Sequence, residues 1–385
     1  MMAAPAASSR PRVPLMDLTA MHDDVRLGLD DVWHAALEGS AFIGGEEVEV
    51  FETAWAGYCN RAHCVGVGNG TDAIALTLRA LGIGPGDEVI VPANTFIATA
   101  EAILIAGADP RFVDVDPDTH LVSAATILPE IGPRTKAVIV VFLHGNIPDM
   151  AELSDLAKQA ELPLIVDAAQ AHGSMWRGRP AGSFGVAGCF SFYPGKNLGA
   201  FGDAGAVVTD DAELAARVRS IANHGRAPDS ANVHEYVGVN SRLDAIQAGV
   251  LSVKLSLLQR WDTQRRLAAA KYDAALSPVL DQLTPLHIPE EVVPSYHHYV
   301  VRTPQREYVR AALAAEGIET SVHYPIPCHF QVPYRPFATR PLPVSERAAG
   351  EILSLPMFPH ISDDQIGFVS TALAKSLNRT AGIRG

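Results

Sequence analysis

The apolar positions of this 385-residue chain alternate between two periods. Helical spacing comes first: Val25, Leu29, Val32 and Leu37 line one face over 22–37, and Val48, Phe51 and Trp55 line another over 47–58. Short apolar runs bounded by turn residues then predict seven strands, at 65–67, 89–92, 111–115, 136–142, 164–167, 188–193 and 204–209. Between them lie helical patterns, among them one with Ile74, Leu78 and Leu81 on a side, one from Asn94 to Gly107, and one at 148–160. A further helix follows over 211–223. The run at 136–142 is continuous and apolar, as a strand covered on both faces must be. Strand–helix alternation predicts right-handed crossovers and an α/β large domain with a mainly parallel sheet.

After residue 210 the pattern changes. A long polar loop runs from His224 to Arg242, and a long amphipathic helix carries Ile246, Val250, Leu255, Leu258 and Trp261. Beyond Val279 the sequence predicts a strand at 298–302, a helix at 306–316, and a turn and strand at 317–324. A proline-dense stretch at 325–343 and helices at 345–353 and 363–377 complete it. The expected partition is a loose tail (1–13), a large domain (14–244), and the long helix with a smaller α+β domain (245–385).

Composition narrows the function classes. A net charge of −13 argues against nucleic-acid and membrane-surface binding, which need a basic face. An anionic ligand then requires a local cationic pocket. The four cysteines (Cys59, Cys64, Cys189, Cys328) form no C-x-x-C and suggest neither a zinc site nor a disulfide framework, which fits a reducing cytoplasm. No apolar run approaches membrane-spanning length, and residues 1–13 lack the apolar stretch of a signal peptide.

Candidate chemistry concentrates at strand ends. Lys196 stands among glycines and aromatics between two predicted strands, in Ser191-Phe-Tyr-Pro-Gly-Lys196. Burial there would lower its pKa, and a neutral amine traps an aldehyde such as that of pyridoxal phosphate. On its own it reads more readily as a solvated loop lysine, so its partners must decide. The other five lysines favour it by elimination: Lys158, Lys254, Lys271 and Lys375 fall on helices, where a solvated face is expected, and Lys136 at a strand edge. Asp167 ends an apolar strand, where open α/β sheets collect ligands, and needs a cationic or N–H partner such as a protonated pyridine. Gln170 and His172 share the loop after it. Gly68-Asn-Gly-Thr-Asp72 joins a strand to a helix start. It reads as an anion seat or as an ordinary turn capped by Thr71 or Asp72. Phe96 opens the next helix, as a stacking surface or a core aromatic.

Six motifs in this order carry a resemblance: Gly68-Asn-Gly-Thr-Asp72, Pro92-Ala-Asn-Thr-Phe96, Asp167-Ala-Ala-Gln-Ala-His-Gly173, Ser191 to Lys196, Asn240-Ser-Arg242 and His323-Tyr-Pro-Ile-Pro-Cys-His329. From about Leu15 to Leu377 the chain resembles the DegT/DnrJ/StrS sugar aminotransferases, within the fold-type I pyridoxal-phosphate enzymes. The resemblance implies a seven-stranded large-domain sheet, pyridoxal 5′-phosphate as cofactor, and a homodimer with shared active sites. It implies that Lys196 holds the cofactor covalently and shuttles a proton, and that Asp167 pairs with the pyridine N–H. Gln170 would reach the ring's 3-oxygen, Phe96 would stack on the ring, and Gly70, Thr71 and Ser191 would bind the phosphate. Asn240 would reach the neighbouring subunit's cofactor. Tyr193, Arg226, Arg242, Tyr324 and His329 are the expected sugar-nucleotide contacts, the arginines offsetting a diphosphate.

The loop Pro194-Gly-Lys-Asn-Leu-Gly resembles the branch that aminates C-3 of nucleotide-linked keto-deoxysugars, with L-glutamate as donor. A C-4 aminotransferase and a non-catalytic regulator on the same fold remain alternatives. A dehydratase of the group would carry histidine in place of Lys196. Where the branch usually reads His-Leu-Tyr-Gly, this chain has Phe142-Leu-His-Gly, which leaves the role of His144 open.

Overall fold

The computed structural model describes residues 12–381. Seven strands form one sheet: β1 (His63–Val67), β2 (Glu88–Pro92), β3 (Asp109–Val113), β4 (Thr135–Val141), β5 (Leu164–Asp167), β6 (Ala187–Ser191) and β7 (Gly205–Thr209), in the order β1-β7-β6-β5-β4-β2-β3. The β3–β2–β4–β5–β6 pairs are parallel, whereas β7 runs antiparallel to both β6 and β1. The fold is therefore the expected mixed α/β type with a large, mainly parallel sheet. Helices cover both faces, so Val89, Ile90, Val91 and Ile139 are fully buried.

Helices α1 (Thr19–Gly39), α2 (Glu46–Tyr58), α3 (Gly70–Ala80) and α4 (Ile97–Ala106) match the apolar spacing. Helix α5 (Met150–Gln159) and α6 (Ala212–Ala222) follow β4 and β7. The long helix α7 (Ala245–Leu276) packs twice. Ala248, Leu251 and Leu258 enter the core beneath the large sheet, and Ala268, Ala269, Tyr272 and Leu276 enter that of the small lobe.

The small lobe holds a three-stranded sheet in which Tyr299–Arg302 is central between Thr284–Pro285 and Ile352–Leu355. Two expectations change here. Residues 317–324 form no strand: Ile318 and Ser321 make only isolated bridges, to Val13 and Ser354. The helix expected at 345–353 ends at Glu351, and Ile352–Leu355 turns into the edge strand because Tyr299–Arg302 offers it a ladder. The proline-dense stretch returns to the large core, where Cys328, Tyr334 and Leu342 pack and Cys328 N donates to Ala93 O. Of the expected tail, Val13 is buried and pairs with the segment at Gly317–Glu319, and residues 1–11 lie outside the described residues. No described helix is long and apolar enough to cross a membrane.

Candidate active site

A cavity of about 430 Å³ opens at the carboxyl ends of β4, β5 and β6. Nine of the expected residues line it: Gly70, Thr71, Phe96, Asp167, Gln170, Ser191, Tyr193, Lys196 and Tyr324. They come from five loops, and only the parallel order of the strands brings those loops to one rim.

Lys196 follows the turn after β6, its N–H donating to Tyr193 O. Burial lowers its amine to about 8, partly opposed by the charge of Asp167. Asp167 is 7 % exposed at the tip of β5. Thr99 Oγ1 donates to its Oδ2 at 2.7 Å and Ala169 N to its Oδ1 at 3.1 Å. Burial nevertheless raises its pKa. Among the described residues no cationic side chain hydrogen-bonds this carboxylate, so it sits buried with room for an N–H cation in front of it.

The turn from β1 into α3 forms the other end. The helix cap is Asn69, whose Oδ1 accepts from Asp72 N at 2.8 Å; neither Thr71 nor Asp72 caps the helix. Asp72 instead accepts from Asn69 Nδ2 and from Ser241 Oγ, and Ser241 Oγ accepts from Gly68 N. The Asn240-Ser-Arg242 motif thereby braces the turn. A Cβ on Gly70 would stand 2.5 Å from Ser191 Cβ, so glycine is what lets the helix start close against the end of β6. Free N–H groups, Thr71 and Ser191 converge there as a seat for an anion.

Phe96 is half exposed at the start of α4, with its ring 5.3 Å from that of Tyr324; it belongs to the cavity rather than the core. Gln170 is held at both ends, Nε2 donating to Tyr324 OH and Oε1 accepting from His144 N. The variant His144, at φ 62°, thus serves through its backbone. His172 lies outside the cavity, packed among Trp55, Phe190 and Phe192, and burial drops its pKa to about 3.

Four expected residues lie away from this cavity. Asn240 is exposed and bridges Asn223. Arg226 lines a separate surface cavity beside Arg219, and Arg242 Nη1 reaches Asn223 Oδ1 at 3.4 Å. His329 is 1 % exposed, with Nε2 3.4 Å from Glu346 and its ring on Phe330, which makes it a packed residue within this protomer.

Sequence reasoning missed Thr99, whose only signal is its i,i+4 spacing from Thr95, and the histidines His297, His298 and His323 on the cavity wall. It also misplaced Lys254. That side chain is 2 % exposed, its Nζ donates to Gly199 O at 2.7 Å and lies 4.4 Å over the Phe201 ring, and burial lowers it to about 8. Helix amphipathicity could not reveal this, because the loop of Lys196 covers that face.

Pyridoxal phosphate fits these residues. The cavity places an amine, a buried carboxylate lacking a cation, and a glycine-cradled anion seat around one space. The DegT/DnrJ/EryC1/StrS aminotransferase family matches residues 29–374. A Streptomyces venezuelae dTDP-3-amino-3,4,6-trideoxy-alpha-D-glucose transaminase is 43 % identical over 92 % of this chain and 93 % of its own. An Acidithiobacillus ferrooxidans UDP-N-acetyl-3-dehydro-alpha-D-glucosamine 3-aminotransferase is also 43 % identical, over 95 % and 98 %. A Geobacillus stearothermophilus pleiotropic regulatory protein is 42 % identical over 94 % and 98 %. The crystal structure of S. venezuelae DesV with a ketimine intermediate superposes with a TM-score of 0.91 at 41 % identity, covering 95 % of this chain and 98 % of that one. Bacillus subtilis NtdA, solved with bound PMP, gives 0.88 at 28 % identity over 94 % and 83 %. The chain belongs to the DegT/DnrJ/EryC1/StrS family and is a pyridoxal-phosphate-dependent aminotransferase.

Proposed function

We propose that this enzyme moves the amino group of L-glutamate onto C-3 of a dTDP-linked keto-deoxysugar in two half-reactions, with Lys196 as the reacting amine. The observation that carries the reading is the buried Lys196 opposite Asp167 in a cavity that also holds an anion seat. The cofactor, when bound, supplies an aldehyde that traps amines and a ring that withdraws electrons from the adjacent carbon.

The protein's part follows from its own groups. Asp167, oriented by Thr99 and Ala169 N, holds a proton at the ring nitrogen. Gly70, Thr71 and Ser191 bind the phosphate against the start of α3. Phe96 covers one face of the ring. Gln170 stands beside the ring's 3-oxygen, fixed by Tyr324 and His144 N. Lys196 Nζ takes a proton from the donor's α-carbon and later delivers one to the sugar carbon, work that needs an amine near neutral pKa. Tyr193, 59 % exposed at the mouth, and Tyr324 contact the sugar.

Asn240, Arg226 and Arg242 act across a homodimer interface, on the partner subunit's cofactor phosphate and on the diphosphate. A reducing cytoplasm is the proposed compartment, supported by four buried cysteines that form no disulfide. The chain divides functionally into a cofactor-binding part up to residue 244 and a smaller part from 245 onward.

The C-3 reading is supported by the Pro194-Gly-Lys-Asn-Leu-Gly loop and by relatives whose names specify a 3-amino product. Offering 3-keto and 4-keto dTDP-sugars with glutamate and following 2-oxoglutarate release tests it; turnover of the 4-keto sugar alone would replace it with the C-4 reading. A regulatory role, suggested by the name of the Geobacillus relative, predicts no amino transfer to either. Borohydride treatment of the yellow holoenzyme should fix the cofactor on the peptide holding Lys196.

A further inference from the structure

The residue after the lysine is as constrained as the lysine itself. Asn197 is 1 % exposed, and its amide is read by three partners. Nδ2 lies 2.9 Å from Asp262 Oδ1 on α7 and 3.0 Å from Ser295 O. Oδ1 lies 3.1 Å from Nδ1 of His297. A carbonyl oxygen can only accept, so Ser295 O obliges the amide to turn its NH₂ that way. The opposite flip would set two oxygens against each other, and a second pair at Asp262. With Nδ2 so fixed, Asn197 Oδ1 faces His297, and His297 Nδ1 must carry the hydrogen.

The consequence lies on the other side of the ring. A neutral imidazole protonated at Nδ1 has a bare lone pair at Nε2. His297 lines the Lys196 cavity, and among the described residues its Nε2 has no hydrogen-bond partner. The charged and titratable groups around it are Lys196, Arg265, His323, His172 and His298; burial comes first and the charges of Lys196 and Arg265 follow, and together they hold His297 neutral, while burial keeps the three neighbouring imidazoles neutral too. Asp262 is itself wedged in place, one oxygen where a Cβ on Gly173 would stand 1.7 Å away.

We infer that His297 is a positioning residue for Lys196: an Nδ1–H imidazole, locked by Asn197 and Asp262, whose bare Nε2 accepts a hydrogen bond from the lysine amine and aims it into the cavity. The inference deepens the proposed function and rests on Lys196 being the reacting amine. No proton is transferred to His297. It supplies only an acceptor, which favours the charged form of a neighbouring ammonium and steers its rotation. Lys196 and the lock share adjacent backbone positions, so orientation of the amine and tautomer of the ring are set by one short segment.

The tautomer can be read in the wild-type protein. In histidine-selective ¹⁵N spectra of the holoenzyme at neutral pH, assigned by the signals lost in His297→Gln, His297 should carry its hydrogen on Nδ1 and none on Nε2. An Nε2–H tautomer, or a doubly protonated ring, overturns the inference. In Asn197→Leu the preference for Nδ1–H should disappear; its persistence would remove Asn197 from the role.

Function gives a second readout. His297→Phe should lower kcat by about 10²-fold with KM for the sugar nearly unchanged, the size expected when a proton-transferring group loses its aim. His297→Gln, which keeps an acceptor, should recover at least about tenfold of that loss. In cofactor-free protein His297→Phe should also move the trapping midpoint of Lys196 to lower pH, and His297→Gln should restore it. Equal behaviour of the Phe and Gln variants reduces His297 to packing and sinks the proposal. Borohydride fixation at Lys196, measured in parallel, tests the underlying assignment separately: its failure removes the reacting amine, whatever the tautomer.

Discussion

At the scale of single residues, Lys196 and Asp167 set each other's charge. Burial pushes the amine down and the carboxyl up, and their attraction opposes both shifts. In cofactor-free protein, carbonyl trapping of Lys196 should therefore have its midpoint near 8, well below the ~10.4 of an exposed lysine. Removing the carboxylate in Asp167→Asn takes away the negative charge that raises the amine, so the midpoint should move below that of the wild type. An upward or absent shift would separate the two groups. Peptide-resolved mass spectrometry is required, because Lys254 is also held at about 8 and would report in the same range. The two residues differ in how visible they are. Asp167 is legible because an acid that ends an apolar run has few reasons to be there. Lys254 is not, because its helical position resembles a solvated one until the loop at Gly199 covers it.

At the scale of elements, one helix face holds the catalytic loop. Gln247 bonds both N and O of Phe201, Lys254 bonds Gly199 O, and Asp262 bonds Asn197. These three positions on α7 are seven and eight residues apart, close to two turns each, so they form one stripe. Lys254→Met should cost about 1 kcal/mol in urea unfolding, since Gly199 O loses its donor while the burial of an amine is relieved. It should lower kcat more than it changes the KM for glutamate. Gly70→Ala tests the opposite end of the site. The added methyl meets Ser191 at 2.5 Å, which pushes the start of α3 away from β6. Cofactor affinity, followed by absorbance on titration, should fall by at least about tenfold, with stability reduced by about 1–3 kcal/mol. Unchanged cofactor affinity would mean the phosphate is not held there.

At the scale of the whole molecule, the parts outside the cavity argue for a second copy. Trp33, Phe42, Ile43, Tyr236 and Val237 are all exposed, as is Asn240. Asn240 does not line this protomer's cavity, and the proposed homodimer would give it a function on the partner subunit's cofactor. Lys196→Ala and Asn240→Ala homodimers should each be weakly active or inactive, whereas a dissociated and reassociated mixture should regain activity. One site of the mixed dimer then has both residues intact. No recovery in a mixture that demonstrably forms heterodimers would assign Asn240 to its own subunit.

What the sequence determined by itself was the order of elements and most of the residues that line the cavity. Apolar periods respond to burial on one side or both, and those periods placed all seven strands of the large sheet to within a few residues. Glycine, acid and lysine at strand ends marked the site, because such residues are costly there without a ligand. The tertiary structure decided what depends on partners distant in sequence. The edge strand Ile352–Leu355 exists only because Tyr299–Arg302 pairs with it. Asn69 rather than Thr71 caps α3, Thr99 orients Asp167, and Lys254 is buried, each through a contact within one turn or across 68 or 55 residues that periodicity does not encode. The lock on His297 joins positions 100 residues apart, and hydrogen-bond direction, rather than pattern, gives it its meaning.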